Sequence, residues 1–214
     1  MVEKITAFVS EKQLEKHLKA YCKYALDLSA TDAKIINARD VIVDERVLAK
    51  CTYPKCAHYG DCANCPPYAM PPDQIQRMVD KYRYAIFVKV EAPTDAMVGE
   101  IPVKSPEVGN PYRRKLSEVV AKIESRAFYD GHHLALAFGA GTCKILYCMK
   151  QECSALTPGQ PCRYPMLARS SMEAVGLDAF RMAARAGWDV YPLGKTSQPS
   201  DAPHGVRLGL VLID

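Results

Sequence analysis

Eight of the nine cysteines in this 214-residue chain stand in two blocks of four. The first is Cys51, Cys56, Cys62 and Cys65, closed by Pro66 and Pro67. The second is Cys143, Cys148, Cys153 and Cys162, followed by Arg163, Tyr164 and Pro165. Thiolates in fours are the ligand set of soft metal centres, so two centres are expected. Only Cys62 and Cys65 have the two-residue spacing of a zinc knuckle; the other gaps are four, five, four, four and eight residues. Loops of those lengths fit a large inorganic object better than one ion. A proline after the last cysteine is familiar from ferredoxin-type loops, where it turns the chain away from the cluster. The reading is two [4Fe–4S] clusters with all eight cysteines as cofactor- and metal-binding residues, and zinc as the alternative.

Other residues bear on the same chemistry. A thiolate-ligated cluster is anionic, and Arg163 and Arg169 bring positive charge beside the second block. A helix starting at Ser170 would point its amino-terminal dipole at that loop, and both features would raise a cluster's potential. His58 lies inside the first block as a further candidate ligand, whereas His17, His132, His133 and His204 read as surface or satisfied core residues. Cys22 has no cysteine neighbour and reads as a small core hydrophobe. Gly139-Ala140-Gly141 lacks the lysine of a phosphate loop and reads as a tight strand exit that lets Cys143 reach its centre. No Ser–His–Asp-like set or paired carboxylates stand out, so catalytic residues are not assigned; Glu173 and Asp178 are the acid–base candidates, with Glu173 expected to cap its helix.

The elements that must position these loops follow from periodicity. Leu14, Leu18, Tyr21, Ala25 and Leu28 predict an amphipathic helix over 11–28. Short strands are expected at 33–36 and 41–43, a helix over 73–82, and a central strand over 84–90, where the apolar run shows little polar alternation. Residues 91–111 carry four prolines and read as a long surface excursion, a candidate lid. Leu116, Val119, Val120, Ile123 and Ala127 mark another helix, and 133–138 a second buried strand. A helix over 170–187, with Ser170 and Glu173 in capping-box spacing, precedes closing strands at 188–191 and 206–213. The fold class is therefore α/β, a mixed sheet flanked by helices, organised as one domain over 1–214 with cysteine-rich loops at 51–67 and 143–165.

A composition of 49% hydrophobic and 24% charged residues is that of an ordinary globular protein with no need of disulfide staples. The chain opens without a charged-then-apolar leader and has no apolar run of the roughly 20 residues that span a bilayer, so a cytoplasmic location and reduced thiols are expected. A net charge of +4 with scattered positive residues is no nucleic-acid footprint.

The motifs also resemble a known group. Cys51 with Cys56, Tyr59-Gly60 and Cys65-Pro66-Pro67 resemble the front signature of a prokaryotic family of metal-binding proteins, domain of unknown function 2284. Gly141 and Cys143, Cys148 and Cys153, Pro161-Cys162-Arg163-Tyr164-Pro165 and the run from Ser171 to Asp178 resemble its back half. The resemblance implies a metal or iron–sulfur protein, common in anaerobes, without an agreed activity. Cys62 stands outside the pattern; without it the first block offers three thiolates and leaves one iron open. Three functions remain: electron transfer or a redox accessory role with a partner protein, an open-iron enzyme acting on a small-molecule substrate, and a zinc-stapled binding protein. Whether the protein is an enzyme, and its oligomeric state, are not decided by sequence.

Overall fold

Two apolar runs, far apart in sequence, set the architecture. In the computed structural model, which describes residues 4–6, 9–98, 110–194 and 196–214, strands β2 (Tyr84–Ala92) and β4 (Gly205–Ile213) pair antiparallel at the centre of a four-stranded sheet. Strand β1 (Asp32–Asn37) flanks β2 and β3 (Leu136–Phe138) flanks β4, giving the order β1-β2-β4-β3. Register pairs Ile35 with Ile86, Val88 with Gly209 and Ala137 with Val211.

Because strand side chains alternate, each central strand feeds two cores. Ile86, Val88, Val90, Val211 and Ile213 face helices α1 (Glu11–Asp27) and α4 (Asn110–Tyr129). Ala85, Phe87, Leu208, Leu210 and Leu212 face a layer holding Ile75, Met172, Leu177, Met182 and Trp188. Coverage of both faces explains why neither strand shows a polar stripe. Helix α1 presents Leu14, Leu18, Tyr21 and Ala25 at helical spacing and is capped by Ser10, whose Oγ accepts from the Gln13 amide. His17 and His132 form a buried ring-to-ring hydrogen bond of 3.0 Å under α1, a satisfied core pair as expected.

The remaining helices are short: α2 (Glu45–Thr52), α3 (Pro72–Val79), α5 (Lys144–Tyr147) and α6 (Ala179–Arg185). Among the described residues no helix is long and apolar enough to cross a membrane.

The α/β class stands, with differences in detail. All pairings within the sheet are antiparallel, and among the described residues the parallel element is a single bridge from Gly139 to Ser171. Residues 41–43 make one bridge, Val43 to Leu177, instead of a strand. The helix expected over 170–187 is broken. Residues Glu173–Val175 form one 3₁₀ turn, Gly176 takes the left-handed region at φ +83°, and α6 starts anew with Asp178 as its cap. Nor do residues 188–191 form a strand. Trp188 instead stacks on Phe87 at 4.8 Å and donates from Nε1 to Asp32 at 2.7 Å, which anchors the chain by a side chain. Residues 99–109, most of the expected excursion, lie outside the described residues.

At Gly209 helix α4 and the sheet approach closely. A Cβ there would lie 2.8 Å from Val120 Cγ1 and 3.0 Å from the Phe138 carbonyl oxygen. Gly209→Ala is expected to destabilise the protein by about 1–3 kcal/mol, a fall in Tm of roughly 2–10 °C on thermal unfolding.

Candidate metal centre

The first cysteine block is built almost without regular structure. Helix α2 delivers Cys51 in its last turn, and the chain then folds on itself through backbone turns. The Cys56 amide donates to the Cys51 carbonyl at 2.9 Å, Gly60 to Pro66 at 2.7 Å, and Cys65 to Cys62 at 3.0 Å. Tyr53–Pro54 and Pro66–Pro67 are cis. Cys62 and Cys65 end up buried, whereas Cys51 and Cys56 are half-buried.

The second block leaves the end of β3. The Gly139 amide donates to the Ser170 carbonyl and the Met172 amide to Gly139, so the strand exit is stitched to the returning chain. Cys143 caps α5 at its start and Cys148 at its end, while Cys153 and Cys162 lie on the loop beyond. A cavity of about 290 Å³ has Cys143, Cys148, Cys153 and Cys162 in its wall, and Cys62 of the first block joins them.

The blocks meet. Cys62 Sγ lies 3.9 Å from Cys143 Sγ and 3.4 Å from Thr142 Oγ1. Asn64 spans the junction, its Nδ2 donating to Cys143 Sγ at 3.5 Å and its Oδ1 accepting from Ser170 Oγ at 3.2 Å. Lys144 Nζ reaches Asp61 Oδ1 at 3.1 Å. That carboxylate also holds His58 through Nδ1 at 3.1 Å, so the candidate histidine is tied to Asp61. Hydrogen bonds from Cys143, Cys65 and Thr142 hold the Cys62 thiol far below its ordinary range. The same contacts with Cys62, and then burial, push Cys65 and Cys143 up.

Other sulfurs are also met by donors. The His58 amide approaches Cys56 Sγ at 3.5 Å and the Tyr164 amide approaches Cys162 Sγ at 3.4 Å. Such N–H···S contacts stabilise thiolate and are a means of tuning a soft centre. The expected arginine contribution takes a different form. Arg163 donates to the Glu152 carbonyl, closing its own loop. Arg169 donates from Nε to Glu124 Oε2 at 2.7 Å and from Nη1 to the Pro165 and Ala168 carbonyls, while Glu124 Oε1 accepts from the Ala137 amide. The charge of Arg169 is therefore spent on a clasp joining α4, β3 and the second block's loop. No helix begins at Ser170, so no dipole is aimed from there.

Glu173 is not a cap either. Ser171 Oγ accepts from the Ala174 amide, and Glu173 is exposed on the wall of a second cavity that also includes Cys51. Asp178 accepts from the Arg181 amide as the cap of α6. Cys22 lies among the partly buried residues packed against the α1–α4 core, and burial pushes its thiol up to about 11. Among the described residues, no three His, Cys, Asp or Glu side chains converge closely enough to hold a single metal ion. The thiols line a space instead of meeting at a point. Sequence reasoning missed the Asn64, Thr142 and Asp61–Lys144 bridges, because no spacing rule brings residues some 80 positions apart to one junction.

Over residues 34–213 the chain matches the family described as predicted metal-binding protein (DUF2284), and it belongs to that family. No curated protein and no solved structure matches it. The matched span contains the whole sheet except the first residues of β1, together with both cysteine blocks; α1 precedes it.

Cys22→Ala is expected to leave bound metal unchanged, whereas Cys162→Ala is expected to lower it. Elemental analysis of the two purified variants checks both, and a fall in metal with Cys22→Ala would overturn the assignment of that thiol to the core.

Proposed function

We propose that this protein carries two thiolate-ligated [4Fe–4S] clusters and acts in electron transfer or as a redox accessory. The observation that carries the reading is the cavity of about 290 Å³ ringed by the four thiols of the second block, with Cys62 alongside. A tetrahedral zinc site, with Zn–S near 2.3 Å, draws its four sulfurs together around one point. Thiols spread around a cavity suit an inorganic cluster, in which each sulfur serves a different iron. Cys143, Cys148, Cys153 and Cys162 would hold one centre, and Cys51, Cys56 and Cys65, with Cys62 as fourth thiol, the other. A bound cluster supplies one-electron exchange. The chain's own part is to bury Cys62 and Cys65, to direct amide and hydroxyl donors at sulfur, and to hold the two blocks together through the Asn64 junction.

One observation favours a second reading. Cys62 faces the second block's cavity and touches Cys143, which leaves the first block with Cys51, Cys56 and Cys65 and one position for a small-molecule substrate. In that case the protein is an iron–sulfur enzyme.

Protein purified without oxygen is expected to absorb broadly near about 400 nm and to contain about eight irons per chain. Stoichiometric zinc without iron would reject both readings in favour of a zinc-stapled protein. Cys62→Ala separates the two: loss of a cluster supports ligation by Cys62 and the carrier, and unchanged iron supports the open position and the enzyme.

A further inference from the structure

The larger cavity, about 490 Å³, has Cys51 in its wall but is otherwise unrelated to the thiol junction. Its lining is mixed. Val47, Leu177, Phe180 and Leu208 supply apolar surface, charged side chains of both signs share the wall, and Arg207 of β4 stands among them. The Nε of Arg207 is buried and has no hydrogen-bond partner among the described residues. Neither has the buried Nε of Arg113, from the first turn of α4, which lies 3.0 Å from where a Gly141 Cβ would stand. Among the described residues neither guanidinium makes an ion pair.

Two half-buried cations close enough to feel each other's charge are costly. Burial pushes Arg207 down to about 10, helped by the charge of Arg113, and burial likewise pushes Arg113 down. The carboxylates on the cavity wall relieve them only in part. Asp44 is committed to Arg46 at 2.6 Å, and Asp178 caps α6. Glu173 acts on both arginines through its charge but is not within ion-pair distance of either. The site thus offers a partly apolar chamber of ligand size with the Arg207 guanidinium in its wall and the charge of Arg113 close by, a form suited to a carboxylate or phosphate.

We infer that this cavity binds a small organic anion, a carboxylate or phosphate on an apolar body, with Arg207 as its anchor and Arg113 supporting the charge. The inference does not depend on which metal the cysteines hold. Under the enzyme reading above, it names the substrate class and puts the ligand beside Cys51. The competing role for the arginines is to offset the negative charge of the first block's thiolates.

The test is calorimetric titration of the full-length protein as purified, with octanoate, octyl phosphate and the uncharged octan-1-ol as probes. At least one of the two anions is expected to bind with Kd below about 1 mM, and octan-1-ol about tenfold or more weaker. Which anion binds identifies the headgroup. Arg207→Ala is expected to weaken anion binding about tenfold to a hundredfold while leaving metal content unchanged. Arg207→Lys, which keeps the charge and loses the fork, is expected to fall between and guards against misfolding of the alanine variant. The inference is overturned if neither anion binds, if octan-1-ol binds as well as they do, or if both Arg207 variants retain wild-type affinity. Loss of metal with anion affinity intact would assign the arginine to the thiolates.

Discussion

The contact between Cys62 and Cys143 constrains everything around it. Two sulfurs from opposite halves of the chain sit 3.9 Å apart, and neither is carried by a strand. Irregular backbone must therefore be fixed by other means, since loops without ladders have few bonds of their own. Here the means are polar bridges at the junction, namely Thr142, Asn64 with Ser170, and Lys144 with Asp61. Each links one block to the other or to the chain returning behind β3. The sheet supplies the rigid reference: β3 ends at Phe138 and the second block starts five residues later. Sheet and loops are thus joined through the short stretch from Gly139 to Thr142.

The clasp of Arg169 on Glu124 extends the same logic outwards. Both side chains are largely buried, and the carboxylate serves the Ala137 amide with its other oxygen. A buried ion pair contributes little net stability when complete, but removing one partner leaves an uncompensated charge. Its effect here is one of placement. One carboxylate on α4 sets β3 and the loop behind Cys162 in fixed relation.

Much of this was legible in sequence where a periodic rule applied. The amphipathic stripe of α1, the continuous apolar run of β2 and the face of α4 are direct readings of helical or strand spacing, and each element forms where that spacing runs. The cysteine blocks were legible as composition, and the structure brings Cys62 to Cys143, though spacing alone could not say that the blocks share a wall. Failures occurred where a side chain or a single dihedral overrode the pattern. Gly176 at positive φ ended what looked like one long helix, and the Trp188 anchor replaced a strand. Arg207 sat unremarked in an apolar run, because its meaning lies in Arg113 and in a cavity wall formed by distant segments.

Helix α1 has a consequence of its own. The family match begins at residue 34, after this helix, yet Leu14, Leu18 and Tyr21 cover Ile86 and Val88 on one side of the sheet. The matched segment taken alone would leave α4 as the cover of that face and expose the part that α1 shields, an adhesive patch next to the edge strand β1. The boundary of kinship and the boundary of a self-sufficient body therefore differ in this protein. A truncation drawn at the former would yield a sticky fragment prone to self-association.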